Sequence, residues 1–370
     1  MSARFLTVVL ERAFNMRDGF GREIDYMRIS VIDSCNLNCY YCNPCDNNEH
    51  CHALNILSVK EVLCIVRAAT RLGIKHFRLT GGEPLLHPQL DEMVLQIKKI
   101  PGVSSVSLTT NAVLLVQHAK WLKEAGIDSI NVSLDTIDAS EYERITKKPL
   151  LEEVKHGINA AIECGIRVKI NVVLTPQTDV VALTRYASKK GTDIRFIEMM
   201  PVGEGHTNGV EPYKKVIGTL SKLYGEPCRI NTEKTKEINS GNDKRKIPDN
   251  GPAEYYIFPE LGIRVGLIQA IHGKFCDTCN RIRVTADGRL MPCLGSSVTM
   301  DLVPDSWDFA DDVEKDFAIV RALRAAIKAK PRCHNFNDNA VTYTKTTETK
   351  TTEIEAAEVN AARNMSRIGG

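Results

Sequence analysis

No apolar run in this 370-residue chain approaches the ~20 residues that a membrane-spanning helix needs. Net charge is scarce as well. Forty-eight Lys and Arg against 46 Asp and Glu leave +2, so nothing in the balance draws the chain to nucleic acid or to an anionic membrane. Aromatic residues make up 6%, and no basic stripe carries them interleaved, which speaks against a nucleic-acid partner. Met1–Leu10 is mildly apolar but meets Glu11 and Arg12 without a small-residue cleavage site, so no secretory leader and a cytoplasmic location are expected. No acid–base dyad stands out. Cysteine, by contrast, is plentiful at 12. A chain of this length with 43% apolar residues has no need of disulfide staples, and clustered cysteines without a leader point to metal in a reducing compartment.

The first cluster is Cys35-x3-Cys39-x2-Cys42, directly after the β-like run Met27–Ile32. It offers three thiolates. An iron–sulfur cube has four irons to ligate, so a three-thiolate tether leaves one iron open to a small molecule. The alternatives are three buried cysteines or a structural zinc with a distant fourth ligand, although zinc sites usually pair CxxC twice.

From Met27 to Glu198, strand-like and helix-like stretches alternate. Strands are expected at Met27–Ile32, His76–Leu79, Val106–Leu108, Ile130–Leu134, Val168–Leu174 and Ile194–Ile197, most of them short and nearly all apolar, as buried parallel strands are. Helices are expected after the capping box Ser58–Glu61 and near Leu90–Lys99, Val113–Ala125, Leu151–Cys164 and Val180–Lys189. Six βα units predict an α/β fold, an incomplete (β/α)6 TIM-like barrel with its active face at the C-terminal strand ends. The domain reading is 1–26 as an N-terminal extension packing on the barrel, 27–230 as the partial barrel, and 231–370 as a C-terminal extension of short strands and helices. In that extension Asn231–Ala253 reads as a surface loop, Tyr255–Phe258, Ile263–Leu267 and Ile282–Thr285 as short strands, Asp305–Lys330 as helix and Tyr343–Glu355 as a flexible segment.

Two further patterns bear on chemistry. Thr80-Gly81-Gly82-Glu83-Pro84 closes the second strand, where paired glycines let backbone approach a ligand and expose amide and carbonyl groups. Cys276-Asp277-Thr278-Cys279 leads into Asn280–Thr285, then Asp287-Gly288, then Cys293. Asp-Gly between β-like runs is a hairpin signal, and the hairpin would return Cys293 beside Cys276 and Cys279. Locally, zinc completed by Cys333 or His272 and a second cube are about equally supported.

Cys35-x3-Cys39-x2-Cys42 followed by the Gly-Gly-Glu turn resembles the radical S-adenosylmethionine superfamily. The run Phe275–Leu294, together with Arg78–Pro84, Thr109-Thr110-Asn111, Arg195–Glu198 and the closing Met365–Gly370, resembles the GTP 3′,8-cyclase family of molybdenum-cofactor biosynthesis. That resemblance implies two [4Fe–4S] clusters and S-adenosylmethionine as cofactors. Cys35, Cys39 and Cys42 would hold the first cluster; Cys276, Cys279 and Cys293 would hold the second, which would extend the fold class to a cluster-bearing C-terminal region. S-adenosylmethionine would meet Tyr41, Gly82, Ser133 and Met200. GTP would meet Arg28, Arg78, Thr109, Lys169, Arg281, Ile282 and Arg283, with Arg281 and Arg283 assisting the reaction and a Gly369-Gly370 tail reaching into the cavity. The implied reaction splits S-adenosylmethionine reductively, removes the C3′ hydrogen of GTP and joins C3′ to C8. The implied partners are an electron donor such as flavodoxin or ferredoxin, a cyclic pyranopterin monophosphate synthase that takes the product, and a second copy in a homodimer. Three departures stand out: Ala112 where the family usually has glycine, His87 where many relatives have arginine, and the extra thiols Cys45 and Cys51, of which Cys45 is expected to be a bystander.

Overall fold

The protein was studied as a computed structural model, which describes residues 16–42, 55–202, 209–230, 251–296, 298–302, 312–334 and 336. The elements run β1 (Tyr26–Ser30), α1 (Val59–Arg71), β2 (His76–Thr80), α2 (Leu90–Lys98), β3 (Ser105–Thr110), α3 (Leu115–Glu124), β4 (Ser129–Ser133), α4 (Ala139–Thr146), α5 (Leu151–Glu163), β5 (Val168–Val173), α6 (Val180–Lys189) and β6 (Asp193–Ile197). Then come α7 (Gly218–Tyr224), β7 (Cys228–Arg229), β8 (Glu254–Ile257), β9 (Arg264–Ile268), β10 (Arg281–Val284), β11 (Arg289–Met291), β12 (Met300–Asp301) and α8 (Asp312–Lys328).

All twelve strands form one sheet in the order β12-β11-β10-β1-β2-β3-β4-β5-β6-β9-β8-β7. The six expected strands lie consecutively at its centre and pair in parallel, so the partial barrel stands. What the sequence did not reveal is the use made of the C-terminal strands. β9 pairs in parallel with β6, and β10 pairs in parallel with β1, so the C-terminal region extends the barrel sheet at both edges. The sheet therefore crosses the 230/231 division without a break. An eight-strand parallel run results, with antiparallel hairpins at both ends.

The central strands are buried on both sides. Ile29, Leu79, Leu108, Ile130, Ile170 and Phe196 are fully enclosed between the helices and the barrel interior. Helix α1 starts at the expected capping box: the Glu61 amide donates to Ser58 Oγ at 3.3 Å, and the Ser58 amide donates to Glu61 Oε2 at 2.6 Å. Helix α4, capped by Asp138, was not expected from the sequence. Its eight residues carry two glutamates and an arginine, and only Tyr142, Ile145 and Thr146 turn inward, too short a stripe to stand out by period.

Ala112 has φ of +66°, the left-handed region that alanine enters at a cost of about 1–2 kcal/mol. Its carbonyl also lies where a Cβ on Gly157 of α5 would stand at 2.3 Å, so the turn is fixed against a helix. Ala112→Gly is expected to stabilise the protein by about 1 kcal/mol, read as a higher denaturant midpoint with unchanged slope; an unchanged or lower midpoint would show the turn is unstrained.

Candidate functional site

The strand ends open onto a cavity of about 310 Å³, lined by both three-cysteine sets. The loop bearing Cys35, Cys39 and Cys42 is held from three sides. Ile32 O accepts from the Gly82 amide and Ser34 O from the Glu83 amide, both at 2.7 Å. The carbonyls of Ile145 and Thr146, at the C-terminal end of α4, accept from the amides of Tyr40 and Asn38. Tyr41 Oη donates to Asp135 Oδ2 at 2.5 Å, and Asp135 Oδ1 accepts from the Val173 amide. The glycine pair also packs against the cysteine loop: a Cβ on Gly82 would lie 2.2 Å from Ser34 O, and the Gly82 amide donates to Ile32 O.

Glu83 is fully engaged: Thr110 Oγ1 and the amides of Leu85 and Asn111 all donate to its carboxylate. Burial nonetheless pushes its carboxyl up to about 7, and burial likewise pushes Asp135 up to about 6, both against their hydrogen bonds. A carboxyl whose folded pKa lies above its unfolded value loses folded-state stability as pH rises between the two values. In the cluster-free protein, stability is thus expected to fall by on the order of 1 kcal/mol per pH unit per group, from about pH 4 to 6 for Asp135. Asp135→Asn should flatten that slope in urea melts at successive pH, since an amide can accept from Val173 and donate to Tyr41. An unaltered slope would remove Asp135 from the account.

The second set is assembled by β10 and β11. Cys276–Thr278 form a 3-10 turn, the Cys279 amide donates to Cys276 O at 3.2 Å, and the expected hairpin closes at Gly288, with φ of +76°. Cys276 O also accepts from Arg22 Nη1 at 2.7 Å; this buried arginine pairs with Asp18 and donates to the carbonyls of Pro331 and Arg332. Burial opposes ionisation of Cys279, but Arg281 and Lys330 overcome it and bring the thiol down to about 7. Cys35, with burial dominant, is pushed up to about 11. Asn111 Nδ2 donates to its sulfur at 3.8 Å.

Arginines close the cavity on the β1 side. Arg28 is in register with Arg78 on one flank and Arg283 on the other, and Arg281 follows two positions away on the same face of β10. Burial first, then Arg283 and Arg78, push the Arg28 guanidinium down from its ordinary value. Burial and Arg281 take Arg283 to about 10. Arg78 Nε donates to Ser107 Oγ at 3.0 Å, and Arg281 stacks over Phe275 at 5.0 Å. Arg281 Nε, Arg195 Nη2 and Thr109 Oγ1 are buried in this wall without a hydrogen-bond partner. Crowded buried cations and orphaned polar atoms together fit a polyanionic ligand.

Of the residues expected from the sequence, Arg28, Cys35, Cys39, Tyr41, Cys42, Arg78, Gly82, Thr109, Ser133, Met200, Cys276, Cys279, Arg281, Arg283 and Cys293 line this one cavity. Lys169 is buried on the same face of β5 as the lining residues Asn171 and Val173, but one rung below them. Ile282 turns the other way into the core, so only its backbone can meet a ligand in the cavity. Gly369, Gly370, Cys45, Cys51 and the 343–355 segment lie outside the described residues. Sequence reasoning passed over Asp135, Arg22, Lys330 and His334. His272, one of the two residues weighed as a fourth zinc ligand, pairs through Nδ1 with Glu198, and Cys333 is exposed and off the cavity wall. Among the described residues no three His, Cys, Asp or Glu side chains converge as a single metal ion requires. Both thiol sets fit a sulfur-ligated cluster, which soft thiolates favour.

Known proteins align with both halves of this site. A model for the radical SAM superfamily matches residues 29–183, and one described as Molybdenum Cofactor Synthesis C matches residues 192–336. A GTP 3′,8-cyclase of Clostridium perfringens is 36% identical over 324 residues, covering 87% of this chain and 95% of the relative. One from Pelotomaculum thermopropionicum is 36% identical over 327 residues, covering 86% and 95%. Among solved structures, Streptococcus suis SuiB bound to its precursor peptide SuiA superposes with a TM-score of 0.53 at 15% identity, covering 87% of this chain and 69% of that one, a likeness of fold.

Proposed function

The chain belongs to the GTP 3′,8-cyclase family of radical S-adenosylmethionine enzymes, and from that membership we propose how its own residues divide the work. The reaction converts GTP to (8S)-3′,8-cyclo-7,8-dihydroguanosine 5′-triphosphate, the first step of molybdenum-cofactor biosynthesis, with S-adenosylmethionine and two [4Fe–4S] clusters as cofactors. When bound, the first cluster and S-adenosylmethionine supply the one-electron chemistry that removes hydrogen from the substrate.

Everything else falls to the chain. Cys35, Cys39 and Cys42 hold the first cluster and Cys276, Cys279 and Cys293 the second. Tyr41, fixed by Asp135, and Gly82, Ser133 and Met200 seat S-adenosylmethionine. Arg28, Arg78, Arg281 and Arg283 grip the triphosphate, because guanidiniums offer paired donors and these four line one cavity together. Thr109 Oγ1 offers the substrate an unused hydroxyl. Lys169 reinforces the wall from one rung below. Positioning and water exclusion are the protein's contribution. The observation that carries this reading is the single cavity that brings together both cysteine sets and five arginines.

A one-electron donor such as flavodoxin or ferredoxin, handover to a cyclic pyranopterin monophosphate synthase and a homodimeric assembly complete the proposal. A cytoplasmic setting is supported by ten described cysteines, all free thiols, and no described helix is long and apolar enough to cross a membrane. The test is anaerobic protein given GTP, S-adenosylmethionine and dithionite. About eight irons per chain and a cyclised GTP product are expected; iron-loaded protein that splits S-adenosylmethionine but leaves GTP intact would refute the substrate assignment.

A further inference from the structure

Lys330 follows α8 and is 3% exposed, yet it lines the cavity. Two of the three N–H donors of its ammonium have carbonyl acceptors, Arg281 O at 2.8 Å and Pro292 O at 2.9 Å. The two carbonyls belong to the segments that carry Cys279 and Cys293, so a single side chain ties both arms of the second cysteine set. The anionic groups that face it are those two thiols; the like charge nearby is Arg22. The chain beyond Lys330 continues the same clasp. His334 Nε2 donates to Ala270 O at 2.7 Å. Gly295, just past Cys293, packs so tightly on His334 and Phe336 that a Cβ there would stand 2.8 Å from the His334 side chain.

A buried cation needs a matching anion, and carbonyl dipoles alone are poor substitutes. We propose that Lys330 is the positioning residue of the second cluster, its fixed cation tying together the segments that carry Cys279 and Cys293 and so raising that cluster's reduction potential and holding it in place. Cluster potentials respond to hydrogen bonds at sulfur and to net charge, and a fixed cation favours the more negative, reduced form. The first cysteine set is carried by a separate loop, after β1, to which Lys330 makes neither of these bonds, so the effect is expected at one cluster of the two.

The inference rests on Cys276, Cys279 and Cys293 being cluster ligands, and the experiment separates the two claims. Anaerobically loaded wild type, Lys330→Met and Lys330→Arg are compared by iron content and by potentiometric titration monitored by electron paramagnetic resonance. Wild type with about four irons instead of about eight would sink the ligand assignment itself. With eight in wild type, Lys330→Met is expected to lower the reduced-to-oxidised ratio of the second cluster at fixed potential about tenfold, a 59 mV fall for one electron. The first cluster should titrate as before, and Lys330→Arg should stay close to wild type. Loss of second-cluster iron in the Met variant alone, with the first cluster intact, also supports the cation's role. Unchanged titration in Lys330→Met, equal shifts in both clusters, or equal loss of iron in the Met and Arg variants would overturn it.

Discussion

Arg283→Leu is expected to raise the KM for GTP about 100-fold while leaving iron content and S-adenosylmethionine binding intact. The size follows from a charge-assisted hydrogen bond, worth about 2–3 kcal/mol when its partner is buried and charged. Arg283 is buried, sits in register with Arg28 and is crowded by Arg281. In the free enzyme that crowding is repulsive, so removing one guanidinium should not weaken the fold, and the melting temperature of the substrate-free protein should hold or rise. Substrate binding and stability would then move in opposite directions, which a merely structural arginine could not produce. Arg283→Lys should recover only part of the loss, because an ammonium lacks the planar fork. A variant with unaltered KM for GTP would remove Arg283 from the triphosphate site.

The parts of this molecule that could be read from the chain are those encoded within a few residues. The six barrel strands announce themselves as short apolar runs, and the capping box marks α1. The Asp287-Gly288 hairpin returned Cys293 to the cysteine pair as its turn chemistry requires. Relationships between distant segments left no such mark. β9 and β10 look like any short strand, and nothing local says that they pair in parallel with β6 and β1 across the whole barrel. Arg22 reaches a carbonyl 254 positions away, Tyr41 finds Asp135 94 positions on, and Lys330 meets Arg281 49 positions back. Their partners are backbone carbonyls or a single carboxylate, which impose no residue pattern at the far end. The Gly81-Gly82 turn was legible as a close approach, but its packing on the chain's own loop was not, because glycine signals missing space without naming what fills it.

That loop contact supplies the largest expected effect of a single methyl group. Gly82→Ala would place a Cβ 2.2 Å from Ser34 O and 2.5 Å from Asp33 O, and both atoms are backbone that cannot swing aside as a side-chain tip could. Relief requires moving the 32–34 segment away from β2, which breaks the 2.7 Å bonds from the Gly82 and Glu83 amides. Cys35 is the next residue, so its sulfur moves with them. The expected result is a fall in iron from about eight to about four per chain, with cyclisation reduced at least about 1000-fold, and a stability loss of about 2–4 kcal/mol from overpacking and two lost hydrogen bonds. Gly218→Ala is the control: no atom lies within 4 Å of the point its added Cβ would occupy, and the residue opens α7, so alanine should be neutral or mildly stabilising. The second cysteine set, assembled by β10 and β11 and not by the 32–34 segment, should keep the spectroscopic signal of its cluster in Gly82→Ala. A Gly82→Ala protein with full iron and normal turnover would mean the loop can shift without disturbing the first cysteine set, and the close packing would have no bearing on the reaction.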